Sequence, residues 1–401
     1  MFSYILLAMK LLWQGGELNN PSDELSMQER CPGNNVYFTP DVSGYASPAV
    51  KHAVLDMASF CSELGFRPVI TSKGSRGFRV YEYYAELIRA WKTANVFFTT
   101  YPTIGSPIAK ANRLRELDAQ VFRLLRRISK KTNSIVYVDD LPIEQNRAAK
   151  YEIDKKAFRL ERTILHAFDI LCVFNDAVRD ILSERYDIDR THFVVFQVQD
   201  YRVAYDPPRN RKPPEQGWTI VYTGNCNSRR LGKWLEHLPP SSIIRYEFVG
   251  PYCDWTSRRK DVIYRGVFDT TDILAEYMAN QCHFGIFAGS ESYTDYYNFT
   301  STSKLGAYLT AGLPVLVRSD YRYIASLVNE HGLGFVFDSS AELPALLEKL
   351  SWEDYVDVRQ RCLEFGRRMR NGEFFKRAMR VAFLRLGLHL SWPRGSLDVP
   401  R

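Results

Sequence analysis

Between Asn298 and Val317 the chain reads NFTSTSKLGAYLTAGLPVLV. Thr300, Ser301, Thr302 and Ser303 stand together before Lys304 and a short apolar segment. Hydroxyl side chains cap helix starts, and the first backbone N–H groups of a helix can meet an anion. Lys304 would add a fixed cation on the first turn. A lysine there opposes the helix dipole by roughly 0.3–1 kcal/mol, which an anionic ligand would offset. Gly312 and Pro314 stop the helix, and Val315-Leu316-Val317 reads as a buried strand. The chemistry in outline is diphosphate binding. The same string also fits an ordinary capped helix before a strand.

General-base chemistry needs a carboxylate or imidazole within reach of a substrate hydroxyl. Asp41 follows the β-rich run Val36-Tyr37-Phe38-Thr39 and precedes Ser43-Gly44-Tyr45, a loop suited to closing. Asp139 and Asp140 follow the run from Ser134 to Val138. Each of the three also suits a helix cap or a turn. Gly224 and Asn225 follow Trp218 to Tyr222, and Gly250 and Tyr252 follow Arg245 to Val249. The glycines would let backbone approach phosphates, the Asn225 amide could bond a phosphate or sugar hydroxyl, and Tyr252 could meet a flat ring. Plain strand-to-helix turns with a packing tyrosine are the other reading. Asp187-Ile188-Asp189 is nominally a DxD, but it lies between a helix and a strand and reads as turn chemistry. Asp200-Tyr201 reads as a hinge.

These residues are spread over a chain of 401, long enough for two cores. Its 45% hydrophobic and 25% charged residues are those of a globular protein, and 24 Tyr and 24 Phe suit stacking on flat ligands. A net charge of +7 favours phosphates, nucleic acid or an anionic membrane. Cys31, Cys61, Cys172, Cys226, Cys253, Cys282 and Cys362 form no CxxC pair, so reduced thiols in a cytoplasmic setting are expected, with no metal and no cofactor. Phe2 to Trp13 is apolar but too short to span a bilayer, and it fits a signal peptide poorly.

Short β-rich runs alternate with helical patterns from Val36 onward, the signature of an α/β fold with a mainly parallel sheet. Strands are expected at 36–39, 68–70, 96–100, 134–138, 170–174 and 193–196. Helices are expected after Ser47-Pro48 and near 81–91, 109–131, 151–167 and 176–185. The proline-rich segment from Asp206 to Gln216 reads as a linker. A second series places strands at 218–222, 245–249, 262–264, 284–287 and 314–317. Its helices fall near 229–237, 271–280, 302–311, 322–330 and 341–350. The expected organisation is an extension at 1–35, domains at 36–205 and 217–351, C-terminal helices at 352–386 crossing back to the first domain, and a tail at 387–401. Ligands of open α/β sheets bind at the carboxyl ends of the strands, so a cleft between the domains is the expected site.

Several segments carry a family likeness in order: SPAVKHAVLDMASFCSELGF, FFTTYPT (97–103), SIVYVDDLP (134–142), LERTILHAFDILCVFNDAVRDIL (160–182), FQVQDY (196–201), VYTGN (221–225), HFGIFAGS and SKLGAYLTAGLPV. With these the chain resembles the GT-B glycosyltransferases, and most of all the bacterial branch of β-1,6-galactofuranosyltransferases and serine-rich-adhesin glucosyltransferases. The resemblance implies two Rossmann-like doubly wound domains facing a central cleft. It also implies a UDP-sugar donor in the second domain and a glycan acceptor at the first. Gly224, Asn225, Gly250, Tyr252, Thr300, Ser301, Ser303 and Lys304 would then hold the donor, and Asp41, Asp139 or Asp140 would be the base.

Two departures stand out. Thr300 to Ser303 replaces the family's Asn-Asn-Pro-His, and Asp139 stands where the family usually has histidine. Phe299 and Ala307 occupy the places of the paired glutamates of the large retaining class, which favours inversion, and the resemblance implies that no metal is needed. Basic series at Lys110 to Lys131 and from Arg361 to Arg380 suit an anionic membrane surface or a solvated helix face. The expected function is hexosyl transfer from a UDP-sugar to a hydroxyl of a polysaccharide, lipid-linked oligosaccharide or glycoprotein. A non-catalytic partner of an active transferase is the alternative, and it predicts no donor turnover. Nucleic-acid binding is disfavoured, because no recognised motif or interleaved aromatics accompany the arginines. The sequence leaves the oligomeric state open.

Overall fold

The computed structural model describes residues 36–38, 48–68, 88, 90–91, 93–102, 123, 126, 132–215, 217–226, 233–251, 259, 261–289 and 294–389. Asp41, Tyr252 and most of the 109–131 segment lie outside these residues, as do the N-terminal extension and the end of the tail.

The first sheet is built from β1 (Val36–Phe38), β2 (Arg67–Pro68), β3 (Val96–Tyr101), β4 (Asn133–Val138), β5 (Ile170–Val173) and β6 (Phe193–Val195). All neighbours are parallel, in the order β2-β1-β3-β4-β5-β6. Strands covered on both faces read as continuous apolar runs, which is why Ile170–Val173 is buried at every position. Around the sheet run α1 (Pro48–Glu63), α2 (Pro142–Ala148), α3 (Lys155–Leu165) and α4 (Asp176–Tyr186). The expected helix at 151–167 starts only at Lys155, because Asp154 caps it by accepting the Lys156 N–H at 2.8 Å. The short helix α2, which begins at the last residue of the strand-ending motif and has only seven residues, was not among the expected helices.

The second sheet contains β7 (Trp218–Thr223), β8 (Ile244–Val249), β9 (Val262–Gly266), β10 (Phe284–Phe287), β11 (Val315–Arg318) and β12 (Gly334–Phe337). Its order, β12-β11-β10-β7-β8-β9, is again parallel throughout. Strand order reverses between β7 and β10, and a crevice opens at such a switch point. Helices α5 (Thr271–Gln281), α6 (Thr294–Tyr297), α7 (Ser303–Thr310), α8 (Arg322–His331) and α9 (Leu343–Glu348) belong to this half. The sequence did not reveal β12: it is an edge strand, only half-buried except at Phe337, so its apolar signal is short. At 229–237 the described part is a 3-10 turn over Lys233–His237.

Two long helices close the chain, α10 (Trp352–Arg370) and α11 (Glu373–Arg385). They part company in packing. Val358, Cys362, Phe365 and Met369 of α10 join the second-domain core, whereas Phe375, Met379 and Phe383 of α11 enter the first. Phe383 stacks on Phe66 at 5.9 Å, and Phe375 meets Phe98 edge-on at 5.7 Å. Asp200, on the segment that leaves β6, receives the Phe375 N–H at 2.6 Å and so fixes the start of α11. Its neighbour Tyr201 lies on Gly306 of α7, where a Cβ would come within 2.7 Å of it. Asp187 and Asp189 are turn formers: Asp187 ends α4 at φ 58°, and Asp189 caps the next 3-10 turn. The five described cysteines are free and buried. Among the described residues no helix is long and apolar enough to cross a membrane.

Candidate functional site

The carboxyl ends of β7 and β8 carry Gly224 and Gly250, with φ of +134° and +150°. Both glycines are required by close approach. A Cβ on Gly250 would stand 1.7 Å from the Gly224 carbonyl oxygen, and one on Gly224 would stand 2.8 Å from Lys304 Cε. Backbone bonds from Gly224 N–H to the Val249 carbonyl (2.9 Å) and from Gly250 N–H to Gly266 (2.8 Å) fix this layer. Asn225 follows as an exposed residue, and its carbonyl accepts from the Tyr222 hydroxyl at 3.4 Å.

Lys304 reaches this layer from the first turn of α7. Its ammonium sits 5.6 Å from the Tyr222 ring centroid and has no carboxylate within 4 Å among the described residues. Burial holds its pKa down at about 8. An ammonium in that condition gains from any anion that enters.

The hydroxyl run before Lys304 does less than its composition promised. Thr302 caps α7, but its hydroxyl takes the Lys304 N–H at 3.3 Å and its carbonyl takes that of Leu305 at 3.1 Å. Those first-turn N–H groups are therefore consumed inside the protein. Thr300 is buried and donates its hydroxyl to the Tyr296 carbonyl at 3.1 Å. Ser301 and Ser303 are half-buried beside it. The anion-meeting capacity rests on Lys304 and the glycine layer more than on the helix end.

A shell of tyrosines holds the switch point, and the sequence reading missed it. Tyr308 receives the Thr223 N–H at 2.9 Å and donates to Ile286 at 3.1 Å, joining β7 to β10 across the reversal. Tyr321 bonds both the N–H and the carbonyl of Gly289, each at 3.1 Å. Spacing could have exposed Tyr308, four residues after Lys304 and so on the same helix face. Nothing local marks Tyr321.

On the opposite wall, Asp139 and Asp140 follow β4, with both backbone N–H groups donating to the Tyr101 carbonyl (2.9 and 3.4 Å). Their side chains differ. Asp140 Oδ1 accepts from Gln145 Nε2 at 2.7 Å and from the Tyr296 hydroxyl at 2.9 Å, while the Asp139 carboxyl makes no hydrogen bond among the described residues. Both carboxyls are held above the ordinary aspartate range, chiefly by burial; for Asp139 the neighbouring Asp140 adds to it. A carboxylate that binds its proton tightly and is free to turn is a competent general base.

Tyr296, on α6, and Phe299, in the turn after it, both reach the first domain. Asn175 caps α4 and also donates to the Phe299 carbonyl at 2.7 Å. Between them, Asn298 Oδ1 is shielded from solvent without a donor among the described residues. No group of three His, Cys, Asp or Glu side chains among the described residues could hold a metal ion.

The geometry can be set beside known proteins. Residues 220–382 match the family model described as Glucosyltransferase 3-like, C-terminal domain. The chain is 32% identical over 222 residues to Glucosyltransferase 3 of Streptococcus gordonii, a match covering 53% of this chain and 60% of that protein. The chain thus spans less than two thirds of that relative's length. The fold is similar to sucrose-phosphate synthase from Thermosynechococcus elongatus, with a TM-score of 0.54, 13% identity, and coverage of 88% of this chain and 99% of that one. OtsA in its apo form gives 0.53 and 9% over 87% and 99%. With two parallel α/β domains and a switch point in the second sheet, the protein has the GT-B architecture, and its residues 220–382 are similar to the glucosyltransferase 3-like C-terminal domain.

Proposed function

We propose that the protein transfers a hexose from a UDP-sugar to a hydroxyl of a glycan acceptor, with inversion at the anomeric carbon and without a metal. One observation carries this reading: the Lys304 ammonium, without a counter-ion among the described residues, lies against a glycine whose Cβ is excluded, at the sheet's switch point. That is a diphosphate position with a backbone surface on one side and a cation on the other. The 32% relative, named a glucosyltransferase, supports the same class and makes UDP-glucose the first donor to test.

In the proposed step Asp139 takes the proton of the acceptor hydroxyl. The oxygen bonds to the anomeric carbon, the bond from that carbon to the diphosphate oxygen breaks, and its electron pair leaves with UDP. Lys304 meets the charge that develops on the departing diphosphate. Asp140 is less suited to act as base, because Gln145 and Tyr296 already occupy it.

A groove of about 900 Å³ on the first domain, lined by Arg123, Arg126, Lys156, Arg159 and Arg162, supports peripheral contact with anionic lipid at the cytoplasmic face. Among them, Arg126 pairs with Asp169 and Arg162 with Asp187.

The deciding experiment is UDP release from a panel of UDP-sugars by wild type and Lys304→Ala. Slow hydrolysis of one donor by the wild type, lost in a folded variant, supports the reading. No turnover, together with no calorimetric binding of UDP, would replace it with a non-catalytic partner of another transferase.

A further inference from the structure

The segment from Thr294 to Thr302, α6 and the turn after it, is second-domain in sequence, but Tyr296 and Phe299 pack against the first domain. Tyr296 is only 4% exposed, and its ring is part of the first-domain core. Its hydroxyl stands at the turn that bears the aspartates, donating to Asp140 Oδ1 at 2.9 Å and accepting the Leu141 N–H at 3.0 Å. Three residues on, the Phe299 carbonyl is held by Asn175 at 2.7 Å. The Thr300 hydroxyl, bonded to the Tyr296 carbonyl at 3.1 Å, closes the turn between these two ties. From there the chain passes directly to Thr302, the cap of α7, and to Lys304.

We propose that Tyr296 is a positioning residue that joins the two halves of the site: its hydroxyl fixes the Asp140 carboxylate beside Asp139, and its backbone sets the loop that delivers Lys304. The proposal rests on the reading of Asp139 as base and Lys304 as diphosphate partner. Its chemical sense follows from the neighbours. Two donors on Asp140 favour its charged form, and a charged neighbour strengthens the proton affinity of Asp139. A donor site and a base that share one tie keep their mutual distance when the domains move, which transfer requires and hydrolysis of the donor does not.

Tyr296→Phe isolates the hydroxyl, since the ring can keep its edge-on contact with Phe299 (5.2 Å) and its place in the core. The expected result is a kcat about tenfold lower, the scale of one hydrogen bond to a charged group. UDP affinity should stay within about twofold, because Lys304 and the glycine layer are untouched. The acid limb of the kcat profile should move to lower pH, because a less charged Asp140 raises the proton affinity of Asp139 less. A merely structural residue would leave that limb in place. Wild-type kcat and an unmoved profile in Tyr296→Phe would overturn the proposal.

If the wild type releases no UDP from any donor, the functional reading fails on its own, and the tie is judged by thermal unfolding. The loss of stability in Tyr296→Phe should shrink as pH falls through the titration of Asp140, and it should be non-additive with Asp140→Asn. A loss that is the same at every pH and additive with Asp140→Asn would overturn the tie as well.

Discussion

Gly224 and Lys304 occupy one another's space: a single methyl group on the glycine would stand 2.8 Å from the lysine's Cε. The end of β7 and the first turn of α7 are thus fitted to each other through a missing side chain. Gly224→Ala should push the ammonium off its position over Tyr222 and strain a backbone held at φ +134°. We expect a folded protein, destabilised by about 1 kcal/mol or more, with a donor KM raised about tenfold. Gly250→Ala meets backbone instead of a flexible side chain, 1.7 Å from the Gly224 carbonyl oxygen. Its effect should be read in Tm first, with strain alone costing about 1–3 kcal/mol. Thermal melts and donor kinetics on the pair separate the two outcomes.

Lys304 has its pKa lowered to about 8 by burial, so the free protein begins to lose this charge in the mildly alkaline range. UDP affinity should be flat below pH 8 and fall above it. Lys304→Met should abolish that pH dependence and reduce kcat by roughly 10²–10³, the scale for one transition-state charge partner. The same variant should melt at or above the wild-type temperature, since it removes a shielded ammonium that has no carboxylate partner among the described residues. Calorimetric titration of UDP at pH 7 and pH 9 is the check.

Asp139→Asn should lower kcat by about 10²–10⁴, as removal of a general base does, with little change in UDP affinity. The wild-type kcat profile should fall on the acid side at a pH above that of an ordinary aspartate, because both carboxyls of the pair are raised. The stability sign is opposite to that of a salt-bridged aspartate. A carboxyl whose pKa is raised by folding contributes stability present below its unfolded value of about 3.9, which is lost as pH rises through the folded value. Asp139→Asn should therefore flatten the stability curve in that window. A variant with wild-type kcat would move the base assignment to Asp41.

The last helix belongs to the first domain's core, and its loss should be felt there. Phe383→Ala removes a buried ring stacked on Phe66 and should cost about 3–5 kcal/mol. Asp200→Ala should cost about 1–2 kcal/mol by leaving the Phe375 N–H without its acceptor. Hydrogen exchange should show the loss at the first sheet before the second.

The reading of alternating strands and helices came through nearly intact, because a strand buried on both faces must be apolar along its whole length. Ile170 to Val173 and Val315 to Val317 could hardly be anything else. The places of Lys304 on a helix start and of Gly224 at a strand end were legible for a similar reason, since each lies beside an element that its local pattern marks. Local pattern says nothing of partners far away in the chain. Tyr296 and Asp140 meet across 156 positions, and Asn175 reaches Phe299 across 124. The edge strand Gly334–Phe337 stayed hidden because half-burial dilutes its pattern. Residue type and spacing thus determined the two sheets and the cation. Tertiary structure alone decided that Asp139 and not Asp140 would be left unbonded among the described residues, and that a second-domain tyrosine would hold the turn that bears both. Each of those outcomes depends on which polar groups meet after burial, and burial is a property of the folded chain.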